Sequence, residues 1–160
     1  MRGKRNRKAY LLLMLSLLLG GMMTFTSCEI ETSDNGDLDG FWHLESIDSL
    51  ATGNKADYTH RRAFWGVENK LIYAYDADSL INYYCRFTQT ADSVIITKVY
   101  LDHGHQDNGI DGGDIPVEVV NDSLRYYGIN ALPEGFLKEK LNGSKMVLKS
   151  KTLRLNFRRF

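Results

Sequence analysis

The feature that most narrows the fold of this chain is a period of two near its C-terminus. In residues 152–160, Leu153, Leu155 and Phe157 share one face of an extended segment, and Arg154, Asn156 and Arg158 share the other. Side chains alternate across a strand, so this pattern buries one face and wets the other. Residues 81–88 repeat it, with Ile81, Tyr83, Cys85 and Phe87 set against Asn82, Tyr84, Arg86 and Thr88. In residues 70–75 the set Leu71, Tyr73 and Tyr75 reads as inward-facing. Further strand-like runs cover 41–47, 62–67, 94–101, 115–120, 123–129, 136–141 and 145–149.

Between these runs fall turn residues. Asn142-Gly143 is a two-residue hairpin signal. The two prolines, Pro116 and Pro133, sit near proposed strand ends, where a missing N–H donor matters least. No stretch sustains a helical period. Residues 48–62 read as a polar loop with at most one helical turn, and 136–141 as a strand leading into the Asn-Gly hairpin. Nine or ten short strands at roughly ten-residue spacing, apolar on one side only, predict an all-β sandwich or up-and-down barrel.

Ahead of the strands lies an address. Residues 1–8 carry Arg2, Lys4, Arg5, Arg7 and Lys8 with no acid, and residues 10–23 are almost wholly apolar. That order is a secretory signal peptide, and its 14-residue apolar run falls short of the roughly 18–20 needed to span a bilayer. Thr26-Ser27-Cys28 resembles the lipobox of bacterial lipoproteins, with Phe25 where that family usually has an aliphatic residue. The resemblance implies cleavage after residue 27, diacylation of Cys28, and attachment to a membrane through the acyl chains. The alternative is an ordinary secreted protein with an incidental cysteine.

From Cys28 onward the chain keeps 15 of its 20 basic residues and all 20 acidic ones, a net charge of −5. Phosphate binding needs a concentrated basic face, so nucleic acid is not expected as a partner. With Cys28 lipidated, Cys85 is the single remaining thiol and no intramolecular disulfide can form. Tyr84 and Phe87 beside it suggest a buried, inert group. Residues 28–38 are acidic with little to bury, and read as a flexible tether. Glu29 and Glu31 behind the cysteine resemble a surface-display signal of some Gram-negative lipoproteins, although solvation of a linker explains them equally well. The folded domain is expected over 39–160.

Gly40-Phe41-Trp42 opens that domain. A Gly-x-Trp at the start of the first strand resembles the signature of the lipocalins and their calycin relatives. In that family the Trp closes one end of an antiparallel barrel, and an Arg from the last strand lies across it. Arg154, Arg158 and Arg159 are the candidates here, and parity selects Arg159, which shares the face of Leu153, Leu155 and Phe157. A stack of Arg159 on Trp42 contributes about 1–2 kcal/mol when partly desolvated. The later Thr-Asp-Tyr box of lipocalins is absent, so the similarity is to the broad superfamily. As a whole the chain looks like a lipocalin-like domain lipoprotein of Gram-negative bacteria. That implies an antiparallel up-and-down barrel of about eight to ten strands on an outer-membrane lipoprotein, facing the periplasm or the cell surface. It also implies binding of a small hydrophobic ligand without catalysis, and no cofactor. The alternative is a protein-interaction or inhibitor module with a filled barrel and an envelope protein as partner.

Two features bear on chemistry. Tyr73, Tyr75, Tyr83, Phe87 and Tyr100 are expected either to line a ligand cavity or to fill the barrel. Parity leaves Trp65 undecided. The segment 101–114 gathers His103, His105 and Asp107 with four glycines. It reads as a polar loop, with a metal site at those three residues as the weaker alternative, since the spacing does not match a calcium loop. Nucleophile elbows, phosphate loops and a recognisable triad are missing from the sequence, so an enzyme is not expected.

Overall fold

The computed structural model describes residues 33–103 and 113–160. Cys28, His105 and Asp107 lie outside the described residues. A 3-10 turn, Gly36–Leu38, precedes β1 (Gly40–Ser49), β2 (Lys55–Asp57), β3 (Ala63–Glu68), β4 (Leu71–Asp76), β5 (Tyr83–Gln89) and β6 (Ser93–Leu101). Then come β7 (Ile115–Val117), a short helix α1 (Asp122–Tyr126), β8 (Glu134–Leu141), β9 (Lys145–Lys149) and β10 (Leu153–Arg159).

The barrel is built from β1, β3, β4, β5, β6, β8, β9 and β10, paired antiparallel in that order, and β10 returns to β1 to close it. Closure gives this eight-strand ring no terminal strand. The two extra strands fill seams. β3 pairs with Gly40–His43 of β1 while β2 pairs with Ser46–Asp48; β8 pairs with Ser93–Ile96 of β6 while β7 pairs with Val99–Leu101. The register brings Gly40, Glu68, Leu71, Gln89 and Arg159 to one end, the floor. Ser49, Ala63, Asp76, Tyr83 and Leu101 lie at the other, the mouth.

The structure corrects the strand expected over 123–129. Asn121 caps a helix there, its side-chain oxygen accepting the Leu124 N–H at 2.9 Å. Leu124 and Tyr127, three residues apart, are both buried, which is a helical spacing. Among the described strands, β7 and β8 already occupy the neighbouring edge of β6. Two smaller differences accompany it: the loop 48–62 holds β2, and the strand expected over 115–120 ends at Val117.

Residues 33–38, expected to be part of a flexible tether, are instead packed against the floor. Leu38 and Asn35 are buried. The Asp39 carboxylate accepts the Ser33 hydroxyl at 2.6 Å and the Asn35 side-chain amide at 2.7 Å. Polar residues order here because each finds a partner, which composition alone does not reveal.

β4 has the opposite parity to that expected. Ile72, Ala74 and Asp76 point inward and are buried, while Leu71, Tyr73 and Tyr75 face out. Volume explains the choice. Trp65 of β3 points into the barrel and pairs across with small Ala74. On the outer face Gly66 pairs with Tyr73 and leaves room for the Phe41 ring, which a Cβ there would meet at 3.2 Å.

Candidate ligand site at the barrel mouth

The barrel interior is occupied by its own side chains. Trp65 on β3 lies edge-on to Phe136 on β8, centroids 5.8 Å apart, and 5.1 Å from Phe157. β3 and β8 stand opposite each other in the eight-strand ring, so two rings bridge the lumen. An eight-stranded barrel is just wide enough for side chains to fill it in this way. Tyr83, Phe87 and Cys85 also point inward and are fully buried. Burial pushes the Cys85 thiol up to about 12.

Tyr73, Tyr75 and Tyr100 do not line the barrel lumen. Tyr73 and Tyr75 lie on the outer face of β4, and Tyr100 pairs with outward-facing Tyr84 while its neighbour Val99 is the buried one. Sequence parity failed here because both faces of these strands carry large apolar groups.

At the floor, the Arg159 guanidinium carbon sits 5.3 Å from the centre of the Trp42 ring. Trp42 is fully buried and its Nε1–H donates to the Leu38 carbonyl at 2.8 Å. Arg159 Nη2 donates to the Asp39 carbonyl at 2.6 Å. The guanidinium, the indole and the 3-10 turn together seal this end.

The mouth is different. α1 lies across it with Leu124, Tyr127 and Ile129 buried beneath. The Tyr127 hydroxyl donates to the Ile81 carbonyl at 2.9 Å, and the Tyr83 hydroxyl to Asn121 Oδ1 at 3.2 Å, tying the helix to the β4–β5 loop. Between that loop, the chain leading into β3 and α1 there remains an open cleft of about 530 Å3, on the scale of small-molecule sites. His60, Arg61, Asp76, Ile81, Tyr126 and Tyr127 are among the residues that line it.

A polar relay forms one wall of the cleft. Arg61 lies 5.0 Å from the Tyr58 ring and 5.4 Å from the Tyr126 ring. Buried Asp76 and Arg61 act on the Tyr126 hydroxyl from either side, the carboxylate raising its pKa and the guanidinium lowering it. Burial, and then the nearby Asp76, push the Tyr126 hydroxyl up to about 12. Asp78 pairs with Arg62 and Asp122 with Arg125, whereas Arg61 forms no ion pair among the described residues. Ile81 lines the cleft with apolar surface, and the loops that flank it in sequence expose more: Leu80 is 97 % exposed and Val119 78 %. The cleft therefore offers a cation, hydrogen-bonding groups and an apolar lip to one small molecule.

Arg61, Asp76, Tyr126 and Tyr127 were not singled out by the sequence. Asp76 carried a signal, an acid on the face of β4 that turns out to be buried, but it is visible only once that strand's parity is known. Of the three residues weighed for a metal, His103 is exposed at the end of β6, its backbone N–H 3.4 Å from Asp114 Oδ1, and the other two lie outside the described residues. No group of three metal-ligating side chains occurs among the described residues.

A family model for the lipocalin-like domain matches residues 23–160. The chain belongs to that family. Among solved structures, this lipocalin-like domain is similar to a lipocalin-like protein from Bacteroides uniformis, with 20 % identity and a TM-score of 0.54, over 78 % of this chain and all of that one. It is also similar to an uncharacterized protein from Bacteroides eggerthii, with 18 % identity and a TM-score of 0.49, over 76 % of this chain and 98 % of that one. Curated protein sequences gave no match. At such identities the Bacteroides uniformis likeness carries the fold and nothing finer.

Proposed function

We propose that this lipocalin-like domain is a lipid-anchored envelope protein that binds a small anionic amphiphile at the barrel mouth without transforming it. The observation that carries the reading is the pairing of a filled lumen with an open cleft at the mouth, where Arg61 forms no ion pair among the described residues. A ligand's acidic group would meet Arg61 and Tyr126, and its apolar part would lie along Ile81 and the exposed rim. The leader and Cys28 support the anchor, and the resemblance to lipoproteins of Gram-negative bacteria supports an outer-membrane location.

Titration with 1-anilinonaphthalene-8-sulfonate, a fluorescent anionic amphiphile, tests this. Saturable binding that weakens at least tenfold in Arg61→Ala, with unchanged thermal stability, is the expected result. Binding that ignores Arg61, or that follows substitution of the inward-facing Phe87, would refute the mouth as the site. A second reading, an interaction module for another envelope protein, is favoured by Leu80 and Val119, whose exposed apolar surface suits a protein contact as well as a ligand.

A further inference from the structure

The outer wall of the barrel carries an unexpected run of aromatic rings. Phe41 stacks on Phe64 at 4.7 Å, Tyr73 lies 5.6 Å from Tyr75, and Tyr73 stacks on Tyr84 at 4.6 Å. Phe160 closes the run, 5.2 Å from Phe64 and 77 % exposed. These side chains come from β1, β3, β4, β5 and the C-terminus, on the outside of a barrel whose core is already filled. They explain nothing about the lumen.

Below the rings the wall holds a shallow groove of about 670 Å3, floored at Gly66 and walled by Phe41, Leu71, Tyr73 and Tyr84. Arg86 and Lys98 are register partners beside it, both exposed, and Arg86 also pairs with Leu71. Glu68 and Asp39 are the acids that line it, with Arg159; the Tyr73 hydroxyl donates to Asp102 at 2.9 Å, and Lys70 is engaged by Asp34 at 2.7 Å. The wall thus sets Arg86 and Lys98, exposed side chains, beside the aromatic rings, with the acids gathered toward Tyr73 and the floor edge.

Ser33 lines the same groove. Only four residues separate it from Cys28, and the five steps from one to the other reach at most about 18 Å at full extension. Resting on the lipid-anchor reading above, we infer that the β1–β3–β4–β5 outer wall docks on the surface of the membrane that holds Cys28. So short a leash brings this wall, more than any other, to the headgroups. Aromatic rings favour that interfacial layer, and Arg and Lys there meet anionic lipid. The barrel then lies on its side against the bilayer, with its mouth cleft accessible.

The experiment uses the acylated protein in vesicles of phosphatidylethanolamine and phosphatidylglycerol with brominated acyl chains. One variant carries Tyr73→Trp. A second carries Val147→Trp on β9, the strand opposite β4 in the ring. Trp42 and Trp65 are buried in both and give a common background. Bromolipid quenching of Tyr73→Trp at least twofold greater than that of Val147→Trp, lost in Arg86→Glu/Lys98→Glu, is the expected result. Equal quenching from an N-terminus that mass spectrometry shows to be acylated would overturn the docking and leave the anchor standing. A Cys28 without acyl mass would overturn the anchor, and the docking with it.

Discussion

The guanidinium of Arg159 fills the space that a side chain on Gly40 would need. A Cβ built on Gly40 would lie 2.6 Å from Arg159 Nη2, and the Gly40 backbone has φ +128°, a conformation that L-residues rarely adopt. The glycine of Gly-x-Trp is therefore the clearance that lets the arginine reach both Trp42 and the Asp39 carbonyl.

Gly40→Ala is expected to cost about 2–4 kcal/mol, joining backbone strain to displacement of Arg159. Arg159→Met keeps the bulk but loses the cation–π contact and one hydrogen bond, for about 1–2 kcal/mol. Urea midpoints of the two variants check the order. An Arg159→Met midpoint lower than that of Gly40→Ala would show that clearance is not the main role of the glycine.

The C-terminal end of α1 depends on Gly128 in a similar way. Its φ is +82°, and a Cβ would meet Leu155 Cδ2 at 2.5 Å. Left-handed glycines commonly end helices, and here the Gly128 N–H donates to the Arg125 carbonyl at 2.9 Å. Gly128→Ala should lower stability by about 2–3 kcal/mol and loosen the mouth. Faster hydrogen exchange over 122–130 than over β3 would show this; uniform change would count against a local effect.

Cys85 is fully buried, with its thiol pushed up to about 12 by desolvation. In a Cys28→Ser background, maleimide should not label the native protein and should label it fully in urea. Stoichiometric labelling without denaturant would mean that the barrel opens far more often than so packed a lumen permits.

Glu134 is buried where the loop after α1 enters β8, and accepts the N–H groups of Asn130 and Ala131. Burial pushes its carboxyl above the usual value of 4.5 in spite of those bonds. A raised folded pKa means that the associated stability is whole below pH 4.5 and drains as pH climbs through the folded value. Glu134→Gln keeps an acceptor and removes the titration. The stability of Glu134→Gln relative to wild type should therefore be more favourable at pH 7 than at pH 4. Urea midpoints at the two pH values measure it, and a constant difference would refute the assignment.

How much was legible can be argued from single strands. β10 could be read directly, because Arg154, Asn156 and Arg158 mark its wet face without ambiguity. β5 was as clear from Tyr83 onward, with Arg86 and Thr88 outside and Cys85 and Phe87 within, whereas Ile81, expected on the same inward face, precedes the strand and is exposed. β4 was not, since Leu-Ile-Tyr-Ala-Tyr offers apolar groups to both sides and period alone cannot rank them. The helix α1 was hidden for a related reason. Its short run matches a strand as well as a turn of helix, and the edge already taken by β7 and β8 decides between them.

The order of residues by itself determined that this chain forms antiparallel strands with one apolar face each, since alternation and turn residues act over two to four neighbours. Tertiary structure alone decided that the lumen is filled, that a cleft remains at the mouth, and that Arg61, Tyr126 and Asp76 meet there. Those outcomes depend on volumes summed across opposite walls, as where Trp65 reaches Phe136, and no local pattern records the sum.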